Sequence, residues 1–218
     1  MFRQFLLLIF IVQSSILFSE VDYENINKKN QYANNLYNED KFLEANDIYK
    51  ELAKDIKSRD LYYNLATSYK AIGSNSYAVV WYERAIKINP FDFESIKNIK
   101  EINTSYNYNF ILVIIYYVSI FLFILSFILF IIKRKLFITI FLIIFFISSF
   151  ISYNLFNRDY VVVINNSPLY NGMSVRSDKV IDLKDGSKLR VLEERESWYY
   201  IKFNQYKGWI NIENTIKI

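Results

Sequence analysis

Catalysis near neutral pH needs side chains that can attack, ionise or bind a metal, and this sequence offers a narrow set of them. It contains no His and no Cys. That removes thiol nucleophiles, Ser–His and Cys–His relays, disulfides, and zinc sites built on nitrogen or sulfur ligands. Carboxylates do occur close together, as Asp182 with Asp185 and as Glu193, Glu194 and Glu196 just ahead of Trp198. Acid–base work asks one member of such a pair to sit in apolar surroundings that raise its pKa. Nothing around these carboxylates supplies that setting, and exposed hairpin turns are the expected reading. Lys and Tyr remain as nucleophiles with no activating neighbour, and there is no glycine-rich phosphate loop. The sequence is therefore read as non-enzymatic, without catalytic residues, metal or cofactor.

The elements that carry the chain are next. At 218 residues, 53% hydrophobic and 19% aromatic, it is more apolar than a soluble chain of this size, and some of the excess must face lipid. Net charge is +4, but residues 20–105 hold 12 basic and 14 acidic side chains and residues 158–218 hold 10 and 8. The surplus is Arg3 together with Lys133, Arg134 and Lys135, all beside apolar runs. Positive charge there is a topology signal, and no basic footprint for nucleic acid is left.

Residues 1–19 read as a signal peptide: Arg3, a short apolar run from Phe5, and Ser19 ahead of the acidic stretch that begins at Glu20. Two long apolar segments follow later in the chain, 110–132 and 136–156, each long enough to cross about 30 Å of hydrocarbon as a helix. Only residues 133–135 separate them. So short a turn forces an antiparallel hairpin, and an all-basic turn places it in the cytoplasm. Both flanking regions are then expected outside, on the periplasmic face of the cytoplasmic (inner) membrane, where the signal peptide would also send the first of them.

Between the signal segment and the hairpin, residues 20–105 show helical periodicity with breaks at 38–41, 58–60, 73–75 and 89–90. Gly73 reads as a helix stop, and Ser74 or Asn75 as the cap of the next helix. The segment superimposes on itself at one constant offset, which sets Ala33 on Ala66, Ala45 on Ala78 and Tyr49 on Tyr82. In the second copy, nine positions (Tyr62, Leu65, Ala66, Tyr69, Gly73, Ala78, Tyr82, Ala85 and Pro90) resemble a tetratricopeptide (TPR) repeat. The first copy has Asp40 where the Gly is usual. Two repeats and a capping helix with Phe93, Ile96 and Ile99 on its apolar side are expected. The resemblance implies a concave partner-binding face formed by Asn27, Asn30, Asn34, Tyr37 and Asn38 of the first copy and Tyr63, Thr67 and Lys70 of the second. An Asn-rich lining favours hydrogen bonds to a peptide backbone over charge recognition.

Residues 158–218 change to period two, with strands expected at 161–164, 188–192, 198–203 and 208–212 and turns at 165–167, 185–186 and 204–208. Alternation puts Tyr199, Ile201 and Phe203 on one face, the expected core, and Trp198, Tyr200 and Lys202 on the other. Leu169-Tyr170, Asp185-Gly186, Trp198-Tyr199 and Lys207-Gly208-Trp209-Ile210 together resemble a bacterial SH3 domain. That resemblance implies a small barrel in which Trp198 and Tyr200 serve as groove residues for an extended peptide, while Trp209 is read as structural.

The expected fold class is thus a multidomain membrane protein: an all-α TPR helical repeat, a transmembrane helical hairpin and an all-β SH3-like barrel. In that order the segments resemble the BatE-type proteins of bacterial aerotolerance operons. The resemblance implies an envelope scaffold beside other membrane proteins, those with von Willebrand A domains included, with a role in stress tolerance. The alternative is a cell-wall module whose barrel recognises peptidoglycan peptides while the repeats recruit an envelope enzyme.

Overall fold

The structure is a computed structural model and describes residues 24–104, 106–133 and 136–218. The signal-peptide segment 1–19 lies outside the described residues, as do Arg134 and Lys135 of the basic turn. The protein mixes helices and sheet and divides into two compact units, residues 1–95 and 96–218.

The described part of the first unit is built from α1 (24–38), α2 (Phe42–Asp55), α3 (Arg59–Ala71) and α4 (Asn75–Ile88), with α5 (Phe93–Ile102) beginning at its end. Small residues make the close approach possible: Ala33, Ala45, Ala66, Ala78 and Ala85 are fully buried, so backbones draw together where each stands. Tyr49 and Tyr82, equivalent positions of the two copies, fill the space between helices at 1% and 0% exposure. A ring that size contributes heavily to the core while its hydroxyl still requires a partner.

The repeat extends to the helix ends. Gly73 takes a left-handed φ of 81°, and Asp40, its counterpart, takes φ of 60°. Lys41 N–H donates to Leu36 O, and at the equivalent place in the second copy Ser74 N–H donates to Tyr69 O. Both turns close the preceding helix with the same bond from beyond its end to its last turn. Ser74 occupies the N-cap of α4, but its side chain makes no capping hydrogen bond. On α5, Ile96 and Ile99 are buried as the spacing predicts, whereas Phe93, expected on the same apolar side, is 61% exposed. It stands at the first residue of the helix.

The second unit holds the hairpin and the sheet. The hairpin helices are α6 (Phe110–Lys133) and α7 (Leu136–Phe156). Both are long and apolar enough to cross a membrane. Only 17% of the apolar window in α6 and 6% of that in α7 is buried, unlike a helix at the centre of a soluble core. Their common seam carries small polar residues: Ser119, Ser126 and Ser152 are buried, and Ser119 and Ser148 share a hydrogen bond of 2.8 Å. Phe123 meets Phe146, and Tyr116 stacks on Phe156, which fixes an antiparallel register. Small and hydroxyl side chains are what lets two helices associate in lipid, where apolar burial offers no driving force.

The sheet has seven antiparallel strands, β1 (Tyr160–Val163), β2 (Ser167–Tyr170), β3 (Lys179–Leu183), β4 (Lys188–Arg195), β5 (Trp198–Phe203), β6 (Tyr206–Asn211) and β7 (Thr215–Lys217), in the order β3-β2-β6-β5-β4-β1-β7. Val161, Leu169, Leu183, Leu189, Tyr199, Ile201 and Ile210, drawn from six strands, form one core cluster with Val163. Residues so far apart along one sheet can meet only if the sheet curls around them. β2, β3 and β7 are not among the strands expected from period two.

Candidate partner-binding surfaces

In the first unit, a cavity of about 330 Å³ is lined by Asn34, Tyr37, Asn38, Tyr49, Tyr63, Asn64 and Thr67. Five of the residues read from the sequence thus come together, two turns of α1 facing two turns of α3. Asn27, Asn30 and Lys70 do not line the cavity. Asn27 is exposed, and Asn30 and Lys70 are half-buried.

The lining is held by its own hydrogen bonds. Tyr49 donates its hydroxyl to Asn34 Oδ1 at 2.6 Å, and Asn64 donates Nδ2 to the same oxygen at 3.1 Å. Thr67 Oγ1 donates to Tyr63 O at 2.8 Å and lies 3.1 Å from the Tyr82 hydroxyl. Asn34–Tyr49 and Thr67–Tyr82 are the same pair displaced by one repeat, with an amide in one copy and a hydroxyl in the other. Because the Asn34 carbonyl already accepts two donors, its NH₂ group is left for an incoming acceptor. Burial pushes the Tyr49 hydroxyl up to about 12, and burial followed by the neighbouring Tyr63 and Asp40 raises Tyr37. Both therefore remain protonated donors at neutral pH. The lining contains no carboxylate, Lys or Arg, so it suits a neutral, hydrogen-bonding chain rather than a charged one.

Tyr49 and Asn64 are absent from the residues that the repeat pattern nominates for binding. Tyr49 reads as packing from its spacing, and its ring does pack. The signal that could have added it is the rule that a buried phenol needs a partner at its tip. Asn64 carries no such signal, since it reaches the cavity only through the way α3 faces α1.

On the sheet, Trp198, Tyr200 and Lys202 lie on the face opposite the core, while Tyr199 and Ile201 point inward. Cross-strand pairing sets Tyr200 beside Trp209, and Trp209 beside Tyr170. The Tyr200 and Trp209 rings are 5.0 Å apart, and the Arg195 guanidinium stands 5.9 Å from the Trp209 ring. Trp209, read as structural, thus belongs to this outer row. Trp198 differs from the expected open groove residue, for it is only 8% exposed. Its indole meets the Tyr170 ring edge-on at 5.9 Å, because β2 reaches across that end of the face. Tyr200 remains half-buried.

Gly208 makes that approach possible. A Cβ there would stand 2.5 Å from Tyr170 O and 2.9 Å from Leu169 Cγ. The carboxylates considered first are all exposed: Asp182 lies 3.7 Å from Lys179, and Glu193 holds Arg195.

No family model, curated protein or solved structure matches this chain.

Proposed function

We propose that this chain is a membrane-anchored scaffold of the cell envelope that holds partner proteins on the outer side of the cytoplasmic membrane. The cavity between α1 and α3 carries the reading. An extended peptide offers alternating carbonyl and amide groups, and the Asn34 and Asn38 amides with the protonated phenol of Tyr37 offer matching neutral partners. The TPR assignment is supported by the repeated bond pairs and by the shared left-handed turn at Asp40 and Gly73. The SH3-like assignment is supported by strand pairing that places Gly208 where only a glycine fits and gathers Tyr170, Trp198, Tyr200 and Trp209 on one face. The apolar pair α6 and α7 supports the hairpin, and the basic turn supports its orientation. The partner class is another envelope membrane protein with an extended segment, and the resemblance to BatE-type proteins favours one carrying a von Willebrand A domain.

The test is photo-crosslinking from position 38 in native membranes. One discrete protein adduct is expected, and it should fade in the Asn34→Ala/Tyr63→Ala variant. An absence of any adduct from the cavity would overturn the reading. Retention of the chain on purified sacculi, lost in Tyr200→Ala, would instead assign the sheet to cell-wall peptides. Reporter fusions active only outside the cytoplasm should work after Ser105 and Ile218 and fail at Arg134.

A further inference from the structure

A second cavity, of about 260 Å³, opens within residues 96–218 where the hairpin ends and the sheet begins. Three cations line it, Lys188, Arg190 and Lys202, and no carboxylate does. Its remaining wall includes Leu112 near the start of α6, and Leu155 with Phe156 at the end of α7. Those are the hairpin ends remote from the basic turn, so the cavity straddles the level at which an inserted hairpin leaves hydrocarbon for the headgroup layer.

Strand register concentrates the charge. Arg190 pairs directly with Lys202, and Lys202 pairs directly with Lys207. Like charges placed opposite each other across two strands are destabilising, and here they occur twice in succession on the outer face. Arg190 Nε is buried and has no hydrogen-bond partner among the described residues. A buried donor left without a partner carries a penalty, and the guanidinium that bears it lines the cavity. Lys188 is held in place beside them, with its ammonium 4.6 Å from the Tyr160 ring and 5.9 Å from that of Tyr106.

We propose that this cavity binds the phosphate of an anionic phospholipid headgroup, with Arg190 and Lys202 on the phosphate oxygens and the acyl chains running down beside Leu112, Leu155 and Phe156. A guanidinium matches phosphate oxygens in bidentate fashion. The volume lies below the range of about 300–1,000 Å³ usual for sites that enclose a whole small molecule, and suits a headgroup whose tails stay in lipid. The inference rests on the hairpin spanning a bilayer.

The test uses the full chain purified in neutral detergent, with thermal melting followed as phosphatidylglycerol, phosphatidylcholine or inorganic phosphate is added. Phosphatidylglycerol should raise the melting temperature by several degrees, with little effect from phosphatidylcholine. The Arg190→Gln/Lys202→Gln variant should lose that gain while melting no earlier than the parent without lipid, since the like-charge pairs are relieved. Should that variant fail to fold, lipid carried through purification of the parent and identified by mass spectrometry gives the second readout, with phosphatidylglycerol expected to be enriched over the bulk membrane. Equal responses to the two lipids, or a gain unchanged in the variant, would overturn the proposal. A response to inorganic phosphate equal to that for phosphatidylglycerol would replace the lipid by a soluble anion and overturn it equally. Release of the chain from membranes by alkaline carbonate would refute the hairpin itself, whereas a carbonate-resistant chain indifferent to lipid charge would refute this site alone.

Discussion

Asp40 and Gly73 hold the same left-handed turn with unequal ease. A side chain at φ of 60° costs energy that glycine does not incur, and Asp tolerates the region better than most residues. Asp40→Gly should therefore raise the stability of the helical unit by about 0.5–1 kcal/mol, and Gly73→Ala should lower it by about 1 kcal/mol, both read from helical circular dichroism on melting. Gly208 is needed for a different reason, because the Tyr170 carbonyl occupies the place of its Cβ. Gly208→Ala should cost about 1–3 kcal/mol, with the loss confined to the transition that reports the sheet through Trp fluorescence. A Gly-Trp step is visible in a sequence. That its glycine serves the approach of β2 is not, since the contact joins strands with β3, β4 and β5 between them in the chain.

At the scale of elements, Arg59 at the start of α3 reaches Asp92, Glu94 and Asp60 at once, and so ties that helix to the first turn of α5. Asp92 is 2% exposed. Its burial raises the carboxyl pKa, but hydrogen bonds from Arg59 and Ser95 outweigh burial and leave the group below the ordinary carboxylate value. A lowered folded-state pKa contributes stability that is present above the unfolded value, about 3.9, and is lost as pH falls through the folded value. The melting temperature of the helical unit should therefore drop below about pH 5, and Asp92→Asn should flatten that slope while costing about 1.5–3 kcal/mol at pH 7. In the hairpin, the Ser119–Ser148 bond sets the register, and the chain has no Cys of its own. Ser119→Cys combined with Ser148→Cys should form a disulfide on mild oxidation, detected as protection from thiol alkylation, whereas Ser119→Cys with Ser126→Cys, both on α6, should not. Element types and limits were largely legible, because period, apolar length and turn residues are local signals. β2, β3 and β7 were not, for short strands of mixed polarity gain their identity only from the neighbours they pair with.

Across the whole molecule, what could be read among the described residues was that shorter helices precede a long apolar pair and then a sheet; what could not was how their surfaces fill. Five residues of the helical cavity were named through the resemblance to a TPR repeat, yet Tyr49 and Asn64 joined through interhelical hydrogen bonds that the repeat pattern does not encode. Trp198 was assigned the right face of the sheet and the wrong exposure, since alternation fixes direction and says nothing of what Tyr170 covers. The hairpin carries a further consequence. Its helices have 24 and 21 residues, roughly 36 and 32 Å at the usual rise, against a hydrocarbon core of about 30 Å. Excess length is relieved by tilt or by a thicker membrane, at a fraction of a kcal/mol per Å. Because the serine seam and the stacked rings lock the two helices together, a hairpin that crosses a membrane, as proposed above, would lean as one body. Reconstituted in bilayers of rising acyl length, the chain should therefore reach its highest melting temperature in lipids thicker than average, and in a laterally uneven membrane it would collect where the bilayer is deepest.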